Sequence, residues 1–230
     1  MQNSFGGFEK ISVKNLAKSF ANADGGKNTV FENVTFELKK GAVLRLSGAS
    51  GSGKSTFMNV MSALIKPDSG SIFFGDTDIT QLKESGKDRF RAENIGYIFQ
   101  TFNLLSPFSV IENVCAPLAF AGKLPENYKD KALESLNKVG MKEFAAKKPY
   151  HLSVGQKQRV AVARVLFADP PLVFADEPTA SLDRNSSELV KKILLELNKN
   201  GTTLVLTSHD SIFDDVKPDI DFNLETGVLS

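Results

Sequence analysis

Apolar and polar residues alternate over Ile11-Ser12-Val13 and, more loosely, across 30–38, with a polar, glycine-containing turn at 22–28 between them. That period of two predicts strands, so 11–47 reads as β-rich. Val43-Leu44-Arg45-Leu46-Ser47 is a short, mostly apolar run that ends in a glycine-rich loop. A helical pattern follows over 54–64, and Lys66-Pro67-Asp68-Ser69-Gly70 closes it before a further strand at 71–74. Beyond 103 the pattern changes. Pro107, Pro117, Pro125 and Pro149 punctuate helix-compatible segments, and Ala132, Leu133, Leu136 and Val139 form a helical stripe over 128–139. Residues of about 100–150 therefore read as a mostly helical insert. The core pattern resumes near Leu152: a helix over 156–168, stopped by Asp169-Pro170-Pro171, then a buried strand at 172–175. A helix over 188–200 follows, with Leu189, Val190, Ile193, Leu194 and Leu197 on one face, and a strand at 203–207. Strands alternating with helices predict an α/β fold with a mainly parallel sheet, and the whole of 1–230 reads as a single domain.

Composition mainly excludes. The 230 residues are 41% apolar and 24% charged, an ordinary globular mixture. Twenty-eight basic residues against 27 acidic give no electrostatic case for nucleic acid or anionic lipid. Cys115 is the single cysteine, which excludes an intrachain disulfide, and its apolar neighbours make it a core residue. No stretch approaches the roughly 20 apolar residues of a spanning helix. Residues 1–10 lack the basic and apolar regions of a secretory signal. The expectation is a cytosolic chain that meets a membrane only through a partner.

The chemistry concentrates after the strand at 43–47. Gly48-Ala49-Ser50-Gly51-Ser52-Gly53-Lys54-Ser55-Thr56 has glycine, four residues, then Gly-Lys-Ser. Triphosphate oxygens need several donors aimed at one point. A loop with Gly48, Gly51 and Gly53 turns sharply enough to aim its amides inward, and the helix after it adds a positive end. Lys54 reaches the terminal phosphates, and the Ser55 hydroxyl is the expected Mg2+ ligand. A second half-site follows the strand at 172–175. Asp176 and Glu177 are delivered to the sheet's C-terminal edge, Asp176 to hold Mg2+ and Glu177 to act as general base on a water.

At this point the chain resembles the ABC ATPase superfamily over about residues 10–225. Leu152-Ser153-Val154-Gly155-Gln156 resembles the family signature, Gln100 its Q-loop glutamine, Ser181-Leu182-Asp183 its D-loop and His209 its switch histidine. Phe20 stands where the family places an aromatic that stacks on adenine, and His151 is assigned no role. The resemblance implies a phosphate-loop NTPase core, an N-terminal antiparallel β subdomain and an inserted helical subdomain at about 100–150. It implies ATP and Mg2+ as ligands, with Gln100 at the metal and His209 at the γ-phosphate. It further implies two copies closed head to tail, each ATP lying between one chain's glycine loop and the other's signature. Residues 102–114 resemble the lipoprotein-releasing and macrolide-exporting ATPases. A separate membrane permease docked on about 100–150 is therefore expected, with peripheral attachment to the inner face of the plasma membrane. Some members of that group transport and others signal mechanically, so both readings stand; a soluble repair or translation ATPase is disfavoured, since no coiled-coil insertion, second cassette or basic surplus is present. Two departures are noted. Val154 replaces the family's usual glycine, which would weaken binding if that position required positive φ. Ala180-Ser181 replaces a Gly-Asn pair, with no consequence that chemistry supplies.

Overall fold

The computed structural model describes residues 8–21, 25–180, 182–207 and 211–229. Two long strands, β1 (Lys10–Ala21) and β2 (Lys27–Lys39), open the chain. β3 (Val43–Ser47) runs into the glycine loop and α1 (Lys54–Met61), and then come β4 (Ser69–Phe74) and β5 (Thr77–Asp78). α2 (Glu84–Asn94), β6 (Ile95–Ile98), α3 (Val110–Phe120) and α4 (Tyr128–Lys138) follow. The chain continues through α5 (Val154–Ala168), β7 (Leu172–Asp176), α6 (Arg184–Lys199), β8 (Thr203–Thr207), β9 (Ile220–Asn223) and β10 (Val228–Leu229).

β2, β1, β4 and β5 form an antiparallel sheet in that order. The second sheet runs β10-β9-β3-β8-β7-β6, parallel throughout except for the β10 edge. Buried side chains alternate across this sheet. Leu44, Leu46, Phe174 and Val205 face α1 and the antiparallel sheet; Val43, Val173, Ala175, Leu204 and Leu206 face α5 and α6. Phe57 of α1 is fully buried, with its ring edge-on to Phe31 and Phe222 at 5.2 Å each. The core on the other face is continuous from the sheet through Val160 and Ala163 of α5 to Val110, Val114 and Leu136 of α3 and α4.

The element boundaries correct the sequence pattern in several places. α1 stops at Met61 instead of 64, because Ala63 turns to a φ of 55° and Leu64 is exposed. α5 starts at Val154 instead of 156. Ser153 and Gln156 form a reciprocal cap: the Ser153 Oγ accepts the Gln156 N–H at 3.2 Å and the Gln156 side chain accepts the Ser153 N–H at 2.9 Å. α6 starts at Arg184 instead of 188, because Asp183 caps it by accepting the Ser186 N–H at 3.0 Å. The Ser186 hydroxyl and backbone bonds hold the Asp183 carboxyl below its ordinary range. β2 begins at Lys27, inside the stretch read as a turn; residues 22–24 of that turn lie outside the described residues.

Candidate active site

Parallel register brings the separate motifs to one edge. Leu46 of β3 stands opposite Thr207 of β8, Thr207 opposite Asp176 of β7, and Ala175 opposite Ile98 of β6. The segments that leave those strand ends are the glycine loop, Glu177 and the Gln100 segment, all on the C-terminal edge where open α/β sheets bind ligands. His209 and Ser181 lie outside the described residues.

The glycine loop is a cradle that side chains would fill. Gly53 has a φ of 98°, and a Cβ there would fall 2.0 Å from the Val30 Cγ1 on β2. Gly48 has a φ of 133°, and a Cβ there would meet the Ser52 Oγ at 2.7 Å. Lys54 is buried; its Nζ donates to the Gly48 carbonyl at 2.7 Å and the Ala49 carbonyl at 2.9 Å. The Ala49 N–H donates to the Glu225 carboxylate. Ala49, Ser50, Gly51 and Ser55 are exposed, while Ser52 and Thr56 are half-buried.

Asp176 is buried and accepts the Thr207 hydroxyl at 2.9 Å. The same Thr207 Oγ1 accepts the Glu177 N–H at 3.0 Å. Glu177 has a φ of 48°, a left-handed backbone that few non-glycine residues adopt, and this bond holds it there. Thr207 therefore orients both acids. β6 is fixed to the phosphate-loop helix by the Tyr97 hydroxyl, which donates to Asn59 Oδ1 at 3.1 Å. Burial, with Asp176 nearby, raises the pKa of that phenol, so it stays a neutral donor. Gln100 is exposed two residues beyond Ile98.

Phe20 is not a core residue: it is 42% exposed, with the Lys18 ammonium 5.3 Å from its ring centroid. It pairs with Asn28 on the ribbon whose Val30 abuts Gly53, so its ring lies at the loop's end of the antiparallel sheet. The signature stands apart from all this. Leu152 is buried and Ser153 and Val154 are exposed at the start of α5, which packs on the sheet face opposite α1. Gly155 and Gln156 are half-buried. Val154 has no positive φ; it is the first helical residue. Its amide is one of the helix's unbonded donors, and valine supplies that amide as well as glycine does. The departure at 154 is therefore compatible with anion binding. We expect Val154→Gly to change the ATPase rate by about threefold or less and to weaken the helix by under about 1 kcal/mol. An inactive parent chain, rescued by that change, would contradict this.

Three contacts escape a reading of motifs: Thr207 between the acids, Glu225 on the glycine loop, and Gln158, whose Nε2 donates to the Pro178 carbonyl at 2.8 Å and ties α5 to the turn after Glu177. Thr207 was visible only as a polar end to an apolar strand, and the other two gave no signal.

A glycine cradle before a helix, with two acids at the end of β7, one strand removed across the same sheet edge, defines a phosphate-loop nucleotide hydrolase. The family profile described as "ABC transporter" matches residues 31–180. The chain belongs to that family and is an ATPase. It is 40% identical over 202 residues to the lipoprotein-releasing system ATP-binding protein LolD of Idiomarina loihiensis, covering 87% of this chain and 88% of that protein. It is also 40% identical over 200 residues to the macrolide export ATP-binding/permease protein MacB of Campylobacter jejuni, though it spans only 30% of that longer protein. Among solved structures, a dimeric post-hydrolysis state of the ATP-binding cassette MJ0796 bound to ADP and phosphate superposes with a TM-score of 0.88. Its identity is 32%, covering 96% of this chain and 97% of that one.

Proposed function

We propose that two copies of this chain close head to tail around two Mg-ATP and so drive a separate membrane permease. The observation that carries this is the position of two anion-binding helix starts on opposite faces of one sheet. α1 opens behind the glycine loop and α5 opens behind Ser153, so the second serves a nucleotide held by another chain. The similar cassette described as dimeric with ADP and phosphate supports the same assembly.

In this reading Phe20 stacks on adenine, and the amides of 48–56 with Lys54 hold the phosphates. Ser55, Asp176 and Gln100 form an all-oxygen donor set suited to Mg2+. When bound, the metal supplies charge neutralisation on the phosphates. Glu177 takes a proton from the attacking water as its oxygen bonds the γ-phosphorus; the bond to the β-phosphate oxygen breaks, and ADP and phosphate leave. His209 contacts the γ-phosphate. Leu152, Ser153, Val154, Gly155 and Gln156 contact the partner's nucleotide. Ser153 accepts within its own helix, which leaves its O–H free to donate. Ser181, Leu182 and Asp183 line the seam.

The permease docks on the helical arm of about 100–150. The arm and core flank an open cleft of about 950 Å3 in which Tyr97, Phe99, Leu105 and Phe120 stand among charged residues of α2 and α5, Arg89, Glu93 and Arg164 included, with Phe120 73% exposed. An exposed aromatic edge rimmed by charged side chains suits an amphipathic helix of another protein. Among the described residues no helix is long and apolar enough to cross a membrane, so attachment to the inner face runs through that partner. The test is affinity purification from detergent-solubilised membranes of the source cells. A multi-spanning protein is expected to co-purify with the parent chain and to be lost with Phe120→Asp, while basal ATPase is kept. Retention of that protein by Phe120→Asp, or its absence from both, counts against the docking site.

A further inference from the structure

The segment between Gln100 and α3 holds the one consecutive pair of left-handed non-glycine residues among the described residues, Phe102 with φ 63° and Asn103 with φ 46°. Asn103 tolerates that backbone, and it bonds locally: its Oδ1 accepts the Thr101 hydroxyl at 3.0 Å and its N–H donates to the Thr101 carbonyl at 2.7 Å. Phe102 gains nothing from a left-handed backbone, so a contact from outside the segment helps to hold the pair. Arg164, on α5, supplies that outside contact. Its Nη1 donates to the Asn103 carbonyl at 2.9 Å and its Nη2 to the Phe102 carbonyl at 3.0 Å. Burial lowers the guanidinium's pKa to about 10, and the group remains charged near neutral pH. Its two described acceptors are both carbonyls of this segment; no carboxylate pairs with it among the described residues. A planar fork bonding adjacent carbonyls fixes orientation as well as distance, which a lysine ammonium does not do. The next part of the segment is anchored elsewhere. Buried Asn113 of α3 accepts the Leu105 N–H at 2.6 Å and donates to the Leu105, Phe108 and Ser109 carbonyls at 2.9–3.1 Å. The Gln100 end is therefore held by α5, the signature helix, and the far end by α3.

We propose that Arg164 is a positioning residue: its two bonds lock residues 102–103 and so set where Gln100 stands at the catalytic edge, making that segment move with the signature helix. This rests on the proposed role of Gln100. Arg164 touches no reacting atom. It acts through the backbone two residues away, so its loss affects the catalytic step and leaves nucleotide capture by the glycine loop in place.

The test compares Arg164→Met, Arg164→Lys, Gln100→Ala and the double variant Arg164→Met/Gln100→Ala in the full chain. Two readouts are used: amide hydrogen exchange over 101–105, and kcat and KM for Mg-ATP. Arg164→Met is expected to speed exchange at those amides by about tenfold. It should lower kcat by about ten- to a hundredfold, with KM within about twofold. Arg164→Lys should fall between parent and Met in both readouts, and it carries the comparison if Arg164→Met does not fold. The double variant should be no slower than Gln100→Ala alone, because both changes remove one function. Unchanged exchange overturns the proposal, and so does faster exchange with an unaltered kcat, which makes Arg164 merely structural. A double variant slower by the product of the two single effects overturns it as well. Should Gln100→Ala alone leave turnover intact, the reading of Gln100 fails; the exchange result still decides whether Arg164 holds the segment.

Discussion

Glu177→Gln is expected to cut ATP turnover by about 10²- to 10⁴-fold while leaving ATP affinity within about twofold. The amide has the carboxylate's shape, so it keeps the side chain's packing. It does not accept a proton from water. The backbone that aims residue 177 is independent of the side chain: the φ of 48° is held by the Glu177 N–H on Thr207 Oγ1 at 3.0 Å. Thr207 also donates to Asp176 at 2.9 Å, so that acid keeps its place. Phosphate release and equilibrium ATP binding on the same preparation check both halves. Turnover above about a tenth of the parent rate would assign the proton to another group.

Lys54→Ala is expected to weaken ATP binding by about ten- to a hundredfold, the scale of losing one charge-assisted hydrogen bond. In the structure the Lys54 ammonium rests on the Gly48 and Ala49 carbonyls, already inside the cradle it serves. Binding then asks the side chain to exchange these described carbonyl acceptors for phosphate oxygens. The two carbonyls that lose the lysine lie at the rim and can hydrate, so the melting temperature should move little. Isothermal titration with Mg-ATP measures the first expectation and a thermal melt the second. Unchanged affinity would remove the phosphate-cradle assignment.

The parts of the site most legible in the sequence were those whose chemistry is local. The strand 43–47, the glycine loop and Lys54 sit together in the chain and in space, so spacing alone exposed them. Asp176 and Glu177 were legible for the same reason, as acids that end an apolar strand. Elements whose burial is mostly polar were hidden. The residues α2 buries are Lys87, Phe90 and Asn94, which gives no apolar stripe for periodicity to find. Helix starts were set too late at α5 and α6 because their first turns are polar, and caps, not apolar spacing, begin them: Ser153 with Gln156, and Asp183 with Ser186. Thr207 was illegible as an orienting group because its role depends on the register between β7 and β8, which no local pattern encodes. Arg164 read simply as a helix residue; its acceptors lie about sixty positions earlier.

The proposed dimer requires that the start of α5 at Ser153 close on a second chain's nucleotide. Light scattering of Glu177→Gln after size exclusion, with and without Mg-ATP, reads this most directly. The expected result is a chain of 25.1 kDa without nucleotide that doubles in mass when Mg-ATP is present, and that stays single when Ser153→Arg is added. A Glu177→Gln chain that binds ATP fully and remains single at saturation would contradict it.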